Sequence, residues 1–219
     1  SLDIMSLPNF MCIGAAKSGT TSLYDILRQH SNIYLPSFKE PHFFDITSTY
    51  QKGLEWYIDT YFNNVKQEKC IGDFTPTYLF ESESAKRIYN DLGSDVKFIV
   101  ILRNPVHRAY SHYLHSKRDL HEDLSFTNAI KKESQRIKQG DYLSRFRFSY
   151  ISQGRYYNML LEYFKFFPKE NFLIINFENE FFAKRNETIS KVWSFLEISS
   201  ENINVDIKSN QASEPRSIL

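Results

Sequence analysis

The stretch FMCIGAAKSGTTSLYDIL, residues 10–27, decides the fold of this chain of 219 residues. It opens with a short apolar run that ends at a glycine, and the polar residues that follow contain a second glycine. Beyond them, Leu23, Ile26 and Leu27 recur at the spacing that places side chains on one face of a helix. The pattern therefore predicts a strand, a glycine-bearing loop and a helix.

A second unit of the same kind begins at residues 96–102, VKFIVIL, which are apolar almost throughout. Such a run is typical of a central parallel strand, and Asn104 and Pro105 then supply a helix cap and a first-turn residue. Further strands are predicted at residues 69–74 and 171–177, and further helices at 155–167 and 189–196. This alternation predicts an α/β fold with a mainly parallel central sheet, whose ligands bind at the carboxyl ends of the strands.

Composition places the chain among globular proteins and limits its partners. Its 219 residues suffice for one core, so we expect a single domain over residues 1–219. The 27 basic and 26 acidic side chains nearly cancel, which argues against a nucleic-acid binder and requires any anion site to be local. Cys12 and Cys70 lie in apolar runs, where buried thiols are expected.

The sequence contains no run of 18 apolar residues, so we expect no membrane span in this chain. A cytoplasmic location is the expectation. The alternative is the catalytic domain of a Golgi-lumenal protein without its membrane anchor. No oligomeric state is predicted.

The loop of the first unit differs from a Walker A motif, G-x-x-x-x-G-K-[ST], in which a lysine follows the second glycine and reaches the outer phosphates of a nucleoside triphosphate. Here Thr20 follows Gly19, and the lysine stands earlier, at Lys17. Backbone N–H groups at a helix start bind anions, and the hydroxyls of Ser18, Thr20 and Thr21 add donors. The loop is predicted to be either a phosphate site or an ordinary capped turn.

The strand at residues 96–102 is followed by Arg103, whereas a Mg²⁺-triphosphate enzyme requires an acidic residue at such a strand end. An arginine here favours a second phosphate over a metal. Ser111 lies roughly 9 Å from Pro105 along the predicted helix, at about 1.5 Å per residue. Two phosphate pockets are therefore predicted, one at the loop and one at Arg103 and Ser111.

Together, GAAKSGTTSLYDIL and IVILRNPVHRAYSHY resemble the phosphate-binding segments of sulfotransferases that use 3′-phosphoadenosine 5′-phosphosulfate (PAPS). The resemblance implies a P-loop-like three-layer fold, PAPS as cosubstrate and no metal. It implies that Arg103 and Ser111 hold the 3′ phosphate. It also implies that the 5′ phosphosulfate is bound by Lys17, Ser18, Gly19, Thr20 and Thr21.

The segment KEPHFFD, residues 39–45, contains the candidate base for sulfuryl transfer to a hydroxyl. Pro41 is expected to restrain Glu40 to extended geometry, although a loop glutamate is more often simply solvated. The segment resembles the Glu-x-His-Phe-Phe-Asp pattern of the glycosaminoglycan 3-O- and N-sulfotransferase branch. This resemblance implies that Glu40 is the general base. Lys17 would then stabilise the leaving group, and His42 would orient the acceptor or the sulfonate.

One departure from that branch concerns the strand at residues 69–74. Where the branch has Glu-Lys-Thr-Pro, this chain has Asp73, Phe74, Thr75 and Pro76, so that Phe74 replaces an active-site lysine. The replacement puts recognition of a charged glycosaminoglycan in doubt. A carbohydrate or glycoconjugate acceptor is still expected ahead of a small phenol.

Two other functions are alternatives. A P-loop kinase of small molecules would need a lysine after the glycine and an acidic strand end, and this sequence has neither. A non-catalytic nucleotide- or glycan-binding module would have the same fold, and only turnover separates it from an enzyme.

Four further features of the sequence bear on the site. Four histidines between residues 107 and 121 lack metal-ligand spacing, so no metal is predicted. Residues 131–155 hold seven basic and two acidic side chains, either a solvated face or a groove edge that steers anions. Tyr156 or Tyr157 is predicted to contact adenine or to belong to the core. The family's C-terminal nucleotide-contacting segment should follow Asn210, with Arg216 as its candidate.

Overall fold

The computed structural model describes residues 6–207, and a parallel sheet lies at the centre of this part of the chain. Its strands are β1 (Phe10–Gly14), β2 (Ile33–Tyr34), β3 (Cys70–Phe74), β4 (Lys97–Leu102) and β5 (Phe172–Asn176). Their order is β2-β3-β1-β4-β5, and every neighbouring pair is parallel. The predicted α/β fold with a parallel central sheet is confirmed.

Helices connect the strands and pack on the sheet. They are α1 (Thr20–Leu27), α2 (Thr47–Tyr50), α3 (Leu54–Tyr61), α4 (Ser84–Leu92), α5 (Pro105–Arg118), α6 (Phe126–Gln139), α7 (Tyr142–Phe148), α8 (Tyr156–Phe164) and α9 (Arg185–Leu196). A π-helical turn at Phe177–Phe182 follows β5.

The strands divide their side chains between two apolar layers. In β1, Phe10 and Cys12 pack with α1 and α9, whereas Met11 and Ile13 pack with α3, α4 and α8. All four side chains are buried, and burying a Phe, Met or Ile contributes roughly 1.5–3 kcal/mol. Helices therefore cover both faces of the sheet, which produces the predicted three layers. A smaller apolar cluster joins α5 to α6.

The start of α5 forms as predicted. The Oδ1 atom of Asn104 accepts hydrogen bonds from the backbone N–H groups of Val106 (3.0 Å) and His107 (3.2 Å), and Pro105 is the first helical residue. The cap satisfies two N–H groups that no helical carbonyl can reach. Helix α5 thus leaves the carboxyl end of β4 almost at once, beside the loop that follows β1.

Other elements differ from the predictions. The edge strand β2 was not predicted, because two residues are too few to display a hydrophobic period. Helix α9 begins at Arg185, earlier than the predicted residue 189, and α8 ends at Phe164 instead of residue 167. Cys12 and Cys70 are buried free thiols, as predicted.

No helix in residues 6–207 combines the length and the apolar character that crossing a membrane requires. Asn210 and Arg216, the positions predicted for a C-terminal nucleotide-contacting segment, lie outside the described residues. The single domain over residues 1–219 stays a prediction.

Candidate active site

The loop between β1 and α1 has a conformation that requires glycine. Gly19 has a φ of 83°, in the left-handed region, and caps the start of α1. A Cβ atom at this position would lie only 2.9 Å from Cε1 of Phe181. Because Gly19 makes the sharp turn, α1 begins directly after the loop and its first N–H groups face the loop.

Among residues 6–207, the buried hydroxyl of Ser18 has no hydrogen-bond partner. Buried polar groups are nearly always hydrogen-bonded, so an unpartnered hydroxyl at the positive end of a helix dipole fits an anionic ligand. A pocket of about 290 Å³ opens beside it, lined in part by Lys17, Gly19, Thr20, Thr21 and Glu40. This loop therefore has the features of an anion-binding site, and its binding of a 5′ phosphosulfate stays a prediction.

Lys17 supplies a cation to this pocket. Burial lowers the pKa of its ammonium from 10.5 to about 8, although Glu40 partly offsets the effect. The side chain is therefore charged at neutral pH and loses its proton when the pH rises above about 8. A desolvated ammonium of this kind attracts an anion more strongly than one in water does.

Glu40 lines the same pocket. Its Oε1 accepts a hydrogen bond of 2.8 Å from Nζ of Lys39, and its Oε2 lies 3.4 Å from Nε2 of His42. Burial would raise the pKa of Glu40, but the hydrogen bonds and charges of His42 and Lys39 outweigh it and lower the pKa to about 2. The carboxylate is thus ionised throughout the neutral range. The backbone φ of Glu40 is 65°, so the extended geometry predicted from Pro41 is wrong.

His42 lies between two carboxylates. Its Nδ1 is 2.9 Å from Oδ2 of Asp45, which also accepts hydrogen bonds from the hydroxyls of Tyr142 (2.6 Å) and Thr77. Burial would lower the pKa of His42, but hydrogen bonds to Asp45 and Glu40 outweigh it and raise the pKa to about 10. His42 is therefore an imidazolium at neutral pH and holds the Glu40 carboxylate in place. No sequence motif marks Thr77 or Tyr142.

The candidate catalytic residues have unusual backbone conformations. Within the described part of the chain, the non-glycine residues with positive φ are Lys17, Glu40, His42, Leu120 and Glu197. Such conformations cost on the order of 1–3 kcal/mol and concentrate at functional sites. Their occurrence at all three candidates supports a functional role for this pocket.

Arg103 lies behind the loop. Its Nη1 donates a hydrogen bond of 2.8 Å to the carbonyl oxygen of Lys17, and its guanidinium lies over the ring of Phe177, 5.1 Å from the centroid. Arg103 also lines a neighbouring hollow with His107, whereas Ser111, half-buried on α5, lines neither hollow. The structure does not bring Arg103 and Ser111 to one hollow, and their binding of a 3′ phosphate stays a prediction.

Arg108 connects the loop to the residues after α7. Its fully buried guanidinium donates hydrogen bonds to the carbonyl oxygens of Ala16 (3.5 Å), Ser149 (3.5 Å) and Tyr150 (2.5 Å). Burial lowers its pKa to about 10, so the group keeps its charge at neutral pH. Sequence reasoning did not predict this role, because arginines are mostly exposed.

The pocket extends from the loop between β1 and α1 to α5 and α7. Its remaining lining consists of Pro76, Thr77, His112, His115, Ser116, Asp119, His121, Leu143, Phe146 and Arg147, with Ala16. Of the seven basic residues between positions 131 and 155, only Arg147 lines it. Much of this lining comes from α5, the turn after it and α7, which meet only through tertiary packing that no local pattern records.

Two of the open features now have positions. The Tyr156 hydroxyl donates a hydrogen bond of 2.7 Å to the carbonyl oxygen of Arg103, and Tyr157 is 72% exposed. Contact of either ring with adenine stays a prediction. Among residues 6–207, no three His, Cys, Asp or Glu side chains are grouped so that they could hold a metal ion.

Phe74 lies in the core and not in the pocket. Its ring packs against Phe10 and Tyr24, with centroid distances of 6.3 and 5.8 Å. The preceding Asp73 points to the other face of β3, where the hydroxyls of Tyr57 and Tyr78 donate hydrogen bonds to it. In this chain, the residue that stands where the branch has its lysine is therefore part of the core.

We expect Phe74→Lys to lower the free energy of unfolding by roughly 3–5 kcal/mol, because it removes a buried ring and places an ammonium in apolar surroundings. Urea unfolding followed by circular dichroism measures the change. Phe182→Lys is the matched control, since Phe182 is exposed and its replacement should alter stability by only about 0.5 kcal/mol. Equal stability of the two variants would contradict a core position for Phe74.

Comparison with known proteins gives a consistent result. Residues 7–214 match the family model described as a sulfotransferase domain. The membrane-associated sulfotransferase kil1 of Dictyostelium discoideum is 36% identical over 143 residues, 62% of this chain and 30% of that protein. Heparan sulfate glucosamine 3-O-sulfotransferase 3B1 of Mus musculus is 38% identical over 127 residues, 56% of this chain and 31% of that protein.

A solved structure extends the similarity to the whole fold. The sulfotransferase from Alicyclobacillus acidocaldarius is 32% identical and superposes with a TM-score of 0.80, covering 94% of this chain and 88% of that one. The chain spans about a third of the length of the two curated relatives.

Proposed function

The chain belongs to the family of proteins that share a sulfotransferase domain, and from this premise we propose that it transfers a sulfuryl group from PAPS to an acceptor hydroxyl. We assign the acceptor to the carbohydrates or glycoconjugates and the general base to Glu40. The observation that carries the proposal is a single pocket lined by Lys17 and Glu40, next to the unpartnered hydroxyl of Ser18. Transfer of a sulfuryl group to an alcohol is accelerated by a site that holds the anionic donor and by a base that accepts the hydroxyl proton, and this pocket has a candidate for each.

Each candidate residue has one task in this reaction. PAPS supplies the sulfuryl group, and its 5′ phosphosulfate would be held by Lys17, Ser18, Gly19, Thr20 and Thr21. Glu40 accepts the acceptor's hydroxyl proton as that oxygen bonds to sulfur and the bond from sulfur to the phosphate oxygen breaks. Lys17 neutralises the charge that develops on the departing phosphate oxygen, and His42 keeps the Glu40 carboxylate aligned.

The low pKa of Glu40 makes it a weak base while only protein groups surround it. A phosphosulfate on the neighbouring loop would raise that pKa, because a nearby like charge disfavours the ionised form. Displacement of the Lys39 ammonium, 2.8 Å away, would raise it further. Both changes bring the pKa towards the working pH, where proton transfer is most effective.

Two alternatives have less support. A small-molecule kinase would need a lysine after Gly19, where Thr20 stands, and an acidic residue in place of Arg103. A non-catalytic binding module would not require a strained, ionised Glu40 in the pocket. The cytoplasmic location and its Golgi-lumenal alternative stay predictions.

We expect 3′-phosphoadenosine 5′-phosphate to raise the unfolding temperature far more than ATP-Mg²⁺ does, since ligands stabilise by mass action. At a concentration of 100 times Kd the gain is about 2.7 kcal/mol. Differential scanning fluorimetry measures the shift, and adenosine 5′-phosphate is the matched ligand without the 3′ phosphate. Equal shifts from 3′-phosphoadenosine 5′-phosphate and adenosine 5′-phosphate would remove Arg103 and Ser111 from the proposal. A larger shift from ATP-Mg²⁺ would favour the kinase.

Incubation with ³⁵S-labelled PAPS and a panel of oligosaccharides, glycolipids and phenols tests the transfer itself. The expected result is a labelled saccharide or glycoconjugate, together with stoichiometric release of 3′-phosphoadenosine 5′-phosphate. Tight nucleotide binding without transfer to any acceptor would instead favour the binding module.

A further inference from the structure

Positive and negative side chains nearly balance on the side of the pocket that faces away from the loop. The inference drawn from this balance rests on the proposed function. Among the described lining residues, Lys17 and Arg147 are the Lys or Arg side chains, and Glu40 and Asp119 are the carboxylates. Because Lys17 is engaged by the donor, an acceptor would meet two carboxylates and one guanidinium. Attraction of a polyanion requires an excess of cations, which this lining lacks.

Neighbouring cations change this balance only slightly. Lys39 lies 2.8 Å and the His42 imidazolium 3.4 Å from Glu40, so the Glu40 carboxylate is itself partly neutralised. Arg118 lies 3.4 Å from Asp119, and Arg145 lies 3.4 Å from Glu81, so each has a carboxylate beside it. Burial lowers the pKa of His115, which keeps its ring uncharged at neutral pH. With these neighbours counted, the acceptor side of the pocket has only a small excess of positive charge and not the cluster of cations that attracts a polyanion.

Apolar side chains lie in the same part of the pocket. Leu143 on α7 lines it while 50% exposed, and Phe146 and Pro76 also line it. Leu120, 91% exposed, stands in the sequence between two lining residues. Small-molecule sites typically combine an apolar wall with a few polar groups that fix orientation, and here Glu40 is such a group.

We propose that the acceptor is an uncharged glycoside with an apolar aglycone, and not a sulfated polysaccharide. A sugar hydroxyl lies at Glu40, while the aglycone packs against Leu143 and Phe146. The apolar wall stabilises such a ligand by removing apolar surface from water. A sulfated chain would gain little from Arg147 and would face Asp119.

Three ligands test this assignment on protein saturated with 3′-phosphoadenosine 5′-phosphate. They are octyl β-D-glucoside below its micelle concentration, methyl β-D-glucoside, and an N-sulfated heparan-type tetrasaccharide. Calorimetry should give the octyl glycoside a Kd at least ~10-fold lower than that of the methyl glycoside, because only the aglycone differs. The tetrasaccharide should bind more weakly than the octyl glycoside, and ³⁵S transfer from PAPS should follow the same order.

A pair of variants locates the aglycone. Leu143→Asn should remove most of the preference for the octyl over the methyl glycoside and leave the affinity for the methyl glycoside unchanged. Leu114→Asn is the matched control, because Leu114 is 47% exposed on α5 and does not line the pocket. It should leave both affinities unchanged.

The outcomes separate this inference from the proposed function. The inference would be overturned if the tetrasaccharide bound more tightly than the octyl glycoside, if the two glucosides bound equally, or if neither glucoside bound. The proposed function would still hold in these cases if the nucleotide bound and sulfate were transferred to another acceptor. If the preference for the octyl glycoside survived Leu143→Asn, the aglycone would not pack against Leu143 as proposed. Absence of nucleotide binding would overturn both.

Discussion

Glu40→Gln is expected to lower the turnover number of sulfuryl transfer about 10²–10⁴-fold, the usual contribution of a general base. Glutamine has nearly the shape of glutamate and can still hydrogen-bond the acceptor, but it cannot take up the proton. The affinity for 3′-phosphoadenosine 5′-phosphate should not fall, because the proposed nucleotide contacts lie on the loop and the substitution removes a like charge near them. Steady-state rates with ³⁵S-labelled PAPS, together with calorimetric nucleotide binding, measure the two effects separately.

Glu170→Gln is the matched control for this variant, since Glu170 is exposed outside the pocket and its replacement should leave the rate unchanged. Wild-type turnover by Glu40→Gln between pH 6 and 8 would show that another group is the base. His42 is the next candidate by sequence, but its pKa of about 10 means that it carries a proton throughout this range. Asp45, on the other side of His42, would then be tested first.

Lys17→Met should lower the turnover number about 10²–10³-fold, the scale for removing one group that stabilises developing charge. Methionine keeps most of the length of the side chain and removes its charge. Single-turnover rates at saturating PAPS measure the chemical step without the accompanying loss of affinity. Lys165→Met, at an exposed position directly after α8 and outside the pocket lining, serves as the control. A variant with full single-turnover activity would exclude Lys17 from leaving-group stabilisation.

The pH dependence of the wild-type enzyme gives an independent test of Lys17. Because Lys17 is proposed to act in its protonated form, kcat/KM should fall as the pH rises through about 8, which is the pKa of Lys17 in the free protein. The bound anionic donor raises that pKa, so kcat should persist to higher pH than kcat/KM. At the acid end, the Glu40 carboxylate of the free protein stays ionised down to about pH 2, so kcat/KM should not fall between pH 5 and 7 through its protonation, whereas kcat reports the raised pKa of Glu40 in the complex. A kcat/KM that stays constant to pH 10 would contradict the desolvated position of Lys17.

Those parts of the fold that depend on local pattern could be predicted from the sequence. Strands β1 and β4 are buried on both faces, so their continuous apolar runs identify them, and Asn104 with Pro105 marks the start of α5. Edge strand β2 and helix α7 could not be predicted in this way. The strand is too short to display a period, and α7 has no fully buried residue to mark an apolar face.

The same distinction holds for the candidate site. Lys17 and Glu40 belong to short motifs whose residues are adjacent in sequence, and the resemblance identifies both. Tyr142 and Arg147 reach the site only through the packing of α7, which no local pattern records. The resemblance places Phe74 where the branch has an active-site lysine, but it does not tell where the side chain lies, and alternation along β3 directs the ring into the core.

The buried guanidinium of Arg108 has a consequence for how the two substrates influence each other. It donates hydrogen bonds to the carbonyl oxygen of Ala16, in the loop between β1 and α1 that we propose as the donor loop. It also donates to the carbonyl oxygens of Ser149 and Tyr150, directly after α7. A displacement of α7 by an acceptor would therefore strain the same charged group that anchors the donor loop. Thermodynamic linkage then requires reciprocity: whatever factor a bound donor applies to the affinity for the acceptor, the bound acceptor applies to the affinity for the donor.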